Sequence, residues 1–432
     1  EAGIYDMQNG TTTQADLFPN YSVPKIIKEW PAHGDVSQGQ DYYLAPFYDL
    51  NEDGHYNWED GDYPWHDITR TKECSIDRRV SLYGDLNYWW VMNDKGNIHT
   101  ETGADPIGME IRAQAFAFAS NDEINNMTFY NYELINRGTQ TLYNTYFSQY
   151  LDADVGNYAD DYTGCDVSRG LGYMYNGDLN DQSDGGRLGY GENPPAIGCD
   201  FFEGPYQDAD GIDNPGPYFD EVAQVEVVPT VVDALANGGI VYKGIGIGYS
   251  DGIIDNERFG MRRFTYFTST SAYPYNDPGP ASEYYRFMEG KWANGAEMYY
   301  GGTGAQGTVM SDYMFPGTSD PLHWSTGGQD MSSQYPAGWD ESTSNNPPGD
   351  RRFVQSAGPF TLRPGATNNI TVGIVYGRSS EGGLMASVDA MKRADTKAQA
   401  LFDACFKILS PPDAPKLTIQ ELENELILML EN

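Results

Sequence analysis

Met-Thr-Phe-Tyr-Asn-Tyr-Glu-Leu-Ile-Asn-Arg-Gly, residues Met127–Gly138, is the stretch that most clearly predicts the fold of this 432-residue chain. Phe129 and Ile135 fall on one face of a strand with period two, and Tyr130 and Leu134 fall on the other. Neither face is fully polar, which indicates a strand partly covered on both sides, as in a β-sandwich. The closing Asn-Arg-Gly predicts a turn into the next strand.

Similar alternation on either side of this stretch extends the prediction to the whole chain. It predicts strands at Met109–Ala119, Leu142–Asp152, Arg263–Thr268, Gly358–Leu362 and Asn369–Tyr376, and a helical stripe at Leu384–Phe406. Arg363-Pro-Gly-Ala366 has the type II turn signature between the last two strands. We therefore expect a mainly β fold: a β-sandwich from strands around 80–180 and 355–378, a long loop-rich insertion and one C-terminal helix.

The domain boundaries follow from shifts in composition along the chain. Residues 1–40 are predicted to be an N-terminal extension, and 41–410 the sandwich module with its insertion at about 180–355. Residues 411–432 are predicted to be a linker and the first strands of a following β-domain, because Leu417, Ile419, Leu426, Leu428 and Leu430 resume β-like alternation.

The charge balance limits the classes of partner. Asp and Glu number 63 against 26 Lys and Arg, a formal charge of −37. Nucleic acid and anionic lipid surfaces are poor partners for such a chain, since both require basic patches. No apolar run approaches the ~20 residues of a membrane helix. With 49 Gly and 25 Pro, many of the acidic residues fall in turns, where they either stay solvated or are neutralised by cations.

One acidic loop has the spacing of an EF-hand-type calcium loop. In Asp49–Asp60 the glycine required at position six is Gly54, and Asp at position twelve is the dockerin-style variant. The predicted ligands are Asp49, Asn51, Asp53, the carbonyl of His55, Asn57 and Asp60. The alternative is an Asx-rich turn that caps itself.

Three further acidic loops are predicted to bind calcium, so that several ions would bind in all. The predicted ligands are Asp152, Asp154, Asn157, Asp160, Asp161 and Asp166 in the first of these; Asp208, Asp210 and Asp213 in the second; and Asp251, Asp255 and Glu257 in the third. For each loop the alternative is a solvated acidic turn.

Cysteine usage and the start of the chain indicate an exported protein. Cys74, Cys165, Cys199 and Cys405 lie far apart without a CxxC pair, which disfavours a thiolate zinc site and allows two disulfides. Cys165 with Cys199 is our first expectation for a pair. Because the chain opens at Glu1 without a visible signal peptide, we expect a processed protein of the cell surface or extracellular space.

No catalytic residue is predicted. Gly248-Tyr-Ser250-Asp-Gly252 matches a hydrolase elbow, but an acidic turn follows it where a helix is required. A glycosidase needs only two suitably separated carboxylates, and sugar-stacking aromatics are available, so carbohydrate binding or cleavage remains the alternative. The candidate stacking residues are Trp58, Trp65, Trp89, Trp90, Trp292, Trp324 and Trp339; packing under loops is the other role for them.

Several long runs resemble a family of large exported Bacteroidetes proteins, cargo of the type 9 secretion system. These runs are Asp49–Pro64, Asn131–Gly138, Asp152–Asp166, Gly172–Asp178, Phe201–Pro215, Asp251–Met261 and Pro347–Leu362. The resemblance covers nearly the whole chain from about residue 40. It implies a secreted or surface location, calcium-rich loops and a multidomain parent in which a fibronectin-like domain follows the module.

Together these features predict a non-catalytic, calcium-stabilised structural or adhesive module of a surface layer, fibre, filament or attachment component. The expected partners are other copies or other domains of the same surface protein, with glycans as a further candidate. Carbohydrate binding or glycoside hydrolysis is the alternative function.

Overall fold

A computed structural model describes residues 22–38, 40–65, 83–214, 218–220, 224–227, 246–269, 272–407, 416–422 and 425–431. Its strands are β1 (Phe47–Tyr48), β2 (Tyr63–Pro64), β3 (Leu86–Asn93), β4 (Met109–Ala117), β5 (Thr128–Asn136), β6 (Leu142–Leu151), β7 (Asp161–Asp166), β8 (Leu171–Asn176), β9 (Asn180–Asp181), β10 (Gly191–Glu192), β11 (Ala196–Glu203), β12 (Tyr218–Asp220), β13 (Val225–Val227), β14 (Gly246–Ile247), β15 (Arg258–Phe259), β16 (Arg263–Thr268), β17 (Arg351–Leu362), β18 (Thr367–Gly377), β19 (Lys416–Leu422) and β20 (Glu425–Glu431). Its α-helices are α1 (Lys25–Lys28), α2 (Ala281–Met288) and α3 (Ala386–Asp403), and short 3-10 helices lie at Val36–Gln38, Glu123–Asn126, Tyr158–Asp160, Trp324–Thr326 and Glu341–Thr343.

Two antiparallel sheets form the framework. The large sheet has seven strands in the order β3-β4-β5-β18-β11-β8-β7, and the small sheet has the order β16-β17-β6. Aromatic side chains from both sheets share one core, including Phe201 of the large sheet and Phe264, Phe353 and Phe360 of the small one. The predictions of a mainly β chain and of a sandwich are therefore confirmed.

A second core lies on the other face of the large sheet, beneath α3. Met391 and Phe402 of the helix pack there with Phe116 and Phe129 of the sheet. A Cβ atom on Gly377 of β18 would lie only 2.2 Å from the backbone nitrogen of Met391, so glycine allows the helix to approach the sheet closely. The predicted C-terminal helix is thus confirmed, and it forms a third layer.

Asn136 joins the two connections that cross between the sheets. The chain passes from β5 to β6 after Asn136, and from β17 to β18 through Gly365. The buried Asn136 side chain donates to the carbonyls of Gln140 at 2.8 Å and Leu362 at 2.9 Å. Its backbone carbonyl accepts the Gly365 N–H at 2.8 Å, within the predicted type II turn. Both crossings are therefore held at one point.

The region expected to be an insertion contributes directly to the framework. Within residues 180–355, β11 pairs on both sides in the large sheet, and β16 forms an edge of the small sheet beside β17. Near the C-terminus, β19 pairs with β20 in one hairpin, and the following domain stays a prediction.

The expected Cys165–Cys199 disulfide is wrong. Both thiols are free and buried, and both face the core between the sheets. Burial raises the pKa of each thiol well above its usual range. Cys405 is disulfide-bonded, and Cys74 lies outside the described residues. No helix within the described ranges is both long enough and apolar enough to cross a membrane.

Candidate metal centre

The loop that best matches a calcium motif closes largely on itself. Gly54 has a φ of +79°, as the sharp turn at position six requires. The Asp49 carboxylate accepts the Gly54 N–H at 2.7 Å, and Asp53 accepts the His55 N–H at 2.7 Å. Asn51 donates to Asp53 at 3.0 Å. No side-chain oxygen of this described loop is both buried and unpartnered.

Asp62, which the sequence did not single out, is the buried carboxylate of this loop. It accepts the N–H groups of Leu50 at 2.9 Å and Asn57 at 2.8 Å, and so holds the two ends of the loop together. Asp60, the predicted ligand at position twelve, is exposed and accepts from the Asn57 side chain at 2.6 Å. The first loop thus has the geometry of the self-capped Asx turn.

Asp152 and Asp154 gather with a carboxylate that is distant in sequence, Asp350. Their oxygens lie within 4.8 Å of one another, the only such set of three acidic, histidine or cysteine side chains among the described residues. Arg352 contacts Asp152 at 2.9 Å and Asp350 at 2.9 Å. Burial and the neighbouring carboxylates raise the pKa of Asp154. A guanidinium therefore already neutralises part of this exposed cluster.

A buried cluster lies at the start of β7; we call it the Asp161 cluster, comprising Asn157, Asp160, Asp161, Asn176 and Asp181. Asp161 and Asn176 are direct partners in the β7–β8 register, so their side chains leave the sheet on one face, with Cβ atoms about 5 Å apart. They are 1% and 2% exposed. One oxygen each of Asp160, Asp161 and Asn176 is buried without a hydrogen-bond partner.

The electrostatics of the Asp161 cluster reflect uncompensated negative charge. Burial, together with the carboxylates of Asp160 and Asp181, raises the pKa of Asp161 to about 8, although the Val155 N–H donates to it at 3.0 Å. Burial and Asp181 also raise the pKa of Asp160 to about 6. Asp181 accepts the Asn157 N–H at 3.0 Å. A cation bound here would reverse these shifts.

Asp166 does not belong to this cluster. Side chains alternate along β7, so Asp166 lies on the face opposite Asp161. It pairs with Lys392 of α3 at 2.9 Å and with Arg169 at 3.7 Å. Its charge is therefore used to attach the helix to the sheet.

The last two predicted loops lie against each other, and we call residues 208–214 and 251–257 the paired acidic loops. Asp255 accepts the N–H groups of Asp210 and Gly211, both at 2.8 Å. In return, Asp213 accepts the Gly252 N–H at 2.8 Å. The two loops therefore cap each other, although they are separate in the sequence.

The two loops also repeat the same internal bonds. Asp210 accepts from the Ile212 N–H at 2.9 Å and from the Asn214 amide at 3.4 Å. Asp251 accepts from the N–H two residues on at 2.8 Å and from the Asn256 amide at 2.7 Å. The shared pattern is Asp-Gly-Ile followed by Asp-Asn, with one additional isoleucine in the second loop.

The outer acids of these loops have separate roles. Asp208 accepts the N–H and the hydroxyl of Thr361, each at 2.6 Å, and so attaches the loop 208–214 to β17. Glu257 is 3% exposed and accepts the Asn214 N–H. Both acids therefore hold the paired loops in place from outside.

Within the paired acidic loops, three side-chain oxygens are buried and unpartnered: Asp213 Oδ1, Asn214 Oδ1 and Asn256 Oδ1. Asn214 is 2% exposed. An amide oxygen cannot relieve its burial by taking up a proton. It needs a donor or a cation. Calcium binds carboxylate and amide oxygens in irregular geometry, so the residues at both buried sites fit this ion.

Sequence reasoning identified most of the acids but missed the partners that complete the sites. Asn176, Asp181, Asn214, Asn256 and Asp350 were not predicted. The Asp-Gly-Ile repeat is a signal that could have identified Asn214 and Asn256. Comparison with known proteins adds no assignment, since no family model and no curated protein matches the chain.

Proposed function

We propose that this chain is a non-catalytic, calcium-stabilised structural or adhesive module of an exported surface protein. The observation that carries the proposal is the pair of unpartnered amide oxygens, Asn214 and Asn256, in the paired acidic loops. Leaving a buried polar group unpaired costs about 1–3 kcal/mol, so a ligand that pairs with these oxygens stabilises the folded chain.

The Asp161 cluster supports the same proposal at a second place. There Asn176 lies beside the buried Asp161, its partner across the strand pair, and Asn176, Asp161 and the neighbouring Asp160 each have one buried oxygen without a partner. Calcium modules outside the cell bind at about 10⁻⁴–10⁻³ M, a range that needs no more than a few carboxylates and amides per site. The role of the ion would be to hold loops in place, and no reaction step is assigned to it.

The export part of the proposal has separate support. Cys405 is disulfide-bonded, and disulfides persist mainly in oxidising compartments. The resemblance to type 9 secretion cargo indicates the same location. The partners proposed are other copies or other domains of the parent surface protein.

Metal content in designed variants tests the proposal. Purified protein is dialysed against 10 mM calcium, at least ten times the dissociation constants of extracellular calcium modules, and bound calcium per chain in excess of the dialysate is measured by elemental analysis. We expect at least two equivalents, and one fewer in the Asn214→Ala/Asn256→Ala double variant. Asn125→Ala, an exposed asparagine of a 3-10 helix, is the matched control and should retain the full content. Fewer than one equivalent in the unaltered chain contradicts the proposal.

A further inference from the structure

A row of side chains crosses five strands of the large sheet in register. Trp89 of β3 is paired with Gln114 of β4, and Gln114 with Asn131 of β5. Asn131 is paired with Thr371 of β18, and Thr371 with Glu203 of β11. Direct partners share a face, so all five side chains point to the same side of the sheet. With strands about 4.8 Å apart, the row is about 19 Å long.

Hydrogen bonds link the polar members of this row. The Thr371 hydroxyl lies 2.9 Å from Asn131 Oδ1 and 3.1 Å from Glu203 Oε2. Asn131 donates to Gln114 at 3.4 Å, and Gln114 donates to Asn87 at 2.8 Å. The chain of bonds fixes the side-chain positions before any ligand arrives, which reduces the entropy cost of binding.

A second row runs beside the first and makes the groove electrically balanced. Arg112 lies 3.8 Å from Glu133, its direct partner across β4 and β5. Arg258 donates to Glu203 and to the backbone carbonyl of Asn369. Each carboxylate that lines the groove therefore contacts a guanidinium, and Arg112 also pairs with Asp41 and Glu110, each at 3.0 Å. Despite the charge of −37 on the whole chain, the groove does not favour a charged ligand.

The groove has aromatic residues at its ends and an acceptor in its wall. Trp89 lines one end and Tyr206 the other, with the Arg258 guanidinium 3.9 Å from the centre of the Tyr206 ring. Asn369 Oδ1 is buried and has no hydrogen-bond partner. The groove is shallow and open: the space it encloses is about 60 Å³, so a ligand would lie across it rather than be enclosed by it.

We infer that this groove binds a neutral polysaccharide chain. Hydroxyl groups both donate and accept, which matches a surface of amide, hydroxyl and ion-paired carboxylate groups. The apolar face of a pyranose ring packs on a flat aromatic side chain. An extended peptide is a poorer match because it would add to a strand edge, whereas this groove crosses the middle of a sheet face. The site goes beyond the proposed scaffold role and shares no predicted ligand with the calcium loops.

Titration calorimetry with defined neutral hexasaccharides of β-1,4-glucan, β-1,4-mannan, β-1,4-xylan and β-1,3-glucan tests the inference. We expect saturable binding of at least one of them by the full chain, weakened at least tenfold by Trp89→Ala. Trp65→Ala removes a partly exposed tryptophan outside the groove and should leave binding unchanged.

A second variant separates loss of binding from loss of folding. Asn131→Asp keeps the size of the side chain but replaces a donor in the middle of the row with a charge, and it should weaken binding while the melting temperature shows that the chain is folded. Absence of saturable binding to all four hexasaccharides overturns the inference, as does equal binding by Trp89→Ala and Trp65→Ala. Bound metal is measured on the same samples, and binding is compared only between variants of equal metal content, so that loss of the groove is distinguished from loss of calcium.

Discussion

Asp161 shows at the scale of one residue how a buried carboxylate can stabilise or destabilise the same fold. It is 1% exposed, and burial raises its pKa to about 8. Unfolded aspartate has a pKa near 3.9, so at pH 7 without a cation the burial of this group costs on the order of 2–4 kcal/mol. With calcium at the cluster, the same charge becomes a ligand.

Asp161→Asn is therefore expected to act in opposite directions in two buffers. In chelator at pH 7 it removes a costly buried acid and should raise the melting temperature. In millimolar calcium it removes a ligand charge and should lower it. Asp403→Asn, on an exposed acid of α3, should have little effect in either buffer. Differential scanning calorimetry measures the change in melting temperature of each variant in each buffer. A change of the same sign for Asp161→Asn in both buffers contradicts the assignment of Asp161 as a calcium ligand.

Asp200 and Asp395 form a second buried acidic pair, located between β11 and α3. Each is 1% exposed, and Arg169 contacts Asp395 at 3.0 Å. Burial, together with the charge of Asp395 and the hydrogen bond to it, raises the pKa of Asp200 well above its usual range. The folded chain therefore retains a proton that the unfolded chain releases near pH 4.

This raised pKa sets the sign of a pH dependence. The stability contributed by the Asp200 proton is fully present below about pH 4 and falls as the pH rises toward the folded-state pKa. Asp200→Asn should keep the hydrogen-bonded packing without this loss. The difference in unfolding free energy between variant and parent should thus grow in favour of the variant from pH 4 to pH 7. Urea titrations at four pH values measure this difference in unfolding free energy. A difference that does not change with pH contradicts the raised pKa of Asp200.

At the scale of elements, the connections between the sheets depend on Asn136. Its side chain pairs with two backbone carbonyls in separate crossings, those of Gln140 and Leu362. Asn136→Ala leaves both unpaired in a buried position and should destabilise the chain by about 1–3 kcal/mol. Thr139→Ala, an exposed change in the same connection, is the matched control. Equal midpoints for the two variants in urea unfolding would show that the crossings are held in another way.

The elements differ in how far the sequence predicts them. The β16 strand and the turn ending at Ala366 were predicted from local patterns, because alternation and turn chemistry depend on neighbouring residues. The central position of β11 was not predicted, since strand order depends on pairing between distant segments. The disulfide expectation failed for the same reason: Cys165 and Cys199 lie on different strands, β7 and β11, with β8 between them.

The candidate sites also differ in how far the sequence predicts them. Spacing alone predicts the loop at Asp49, yet its carboxylates are largely engaged by its own backbone. The two sites with unpartnered oxygens are non-local: Asn176 is the partner of Asp161 across a strand pair, and Asn214 and Asn256 lie in two loops that cap each other. A regular motif therefore predicted a loop, whereas the fold determined where oxygens remain unpaired.

At the scale of the whole molecule, which carries a charge of −37, bound calcium would affect more than the loops that contact it. The paired acidic loops and the Asp161 cluster lie next to strands of both sheets, so disorder in them would release parts of the framework. Tyr206 and Arg258, which line the groove, also adjoin the paired loops in sequence, and Glu257 contacts Asn214. A cation bound to the loops would therefore also help to order one wall of the groove.

Thermal unfolding in calcium and in excess chelator, at equal ionic strength, tests the central claim most directly. Each site should contribute about 2.7 kcal/mol when calcium is at 100 times the dissociation constant. The account predicts a melting temperature several degrees higher in calcium than in chelator, a smaller gain in magnesium, and at least two calcium ions per chain. Equal melting temperatures in calcium and chelator, with no bound metal, would contradict it and leave the acidic loops as solvated turns.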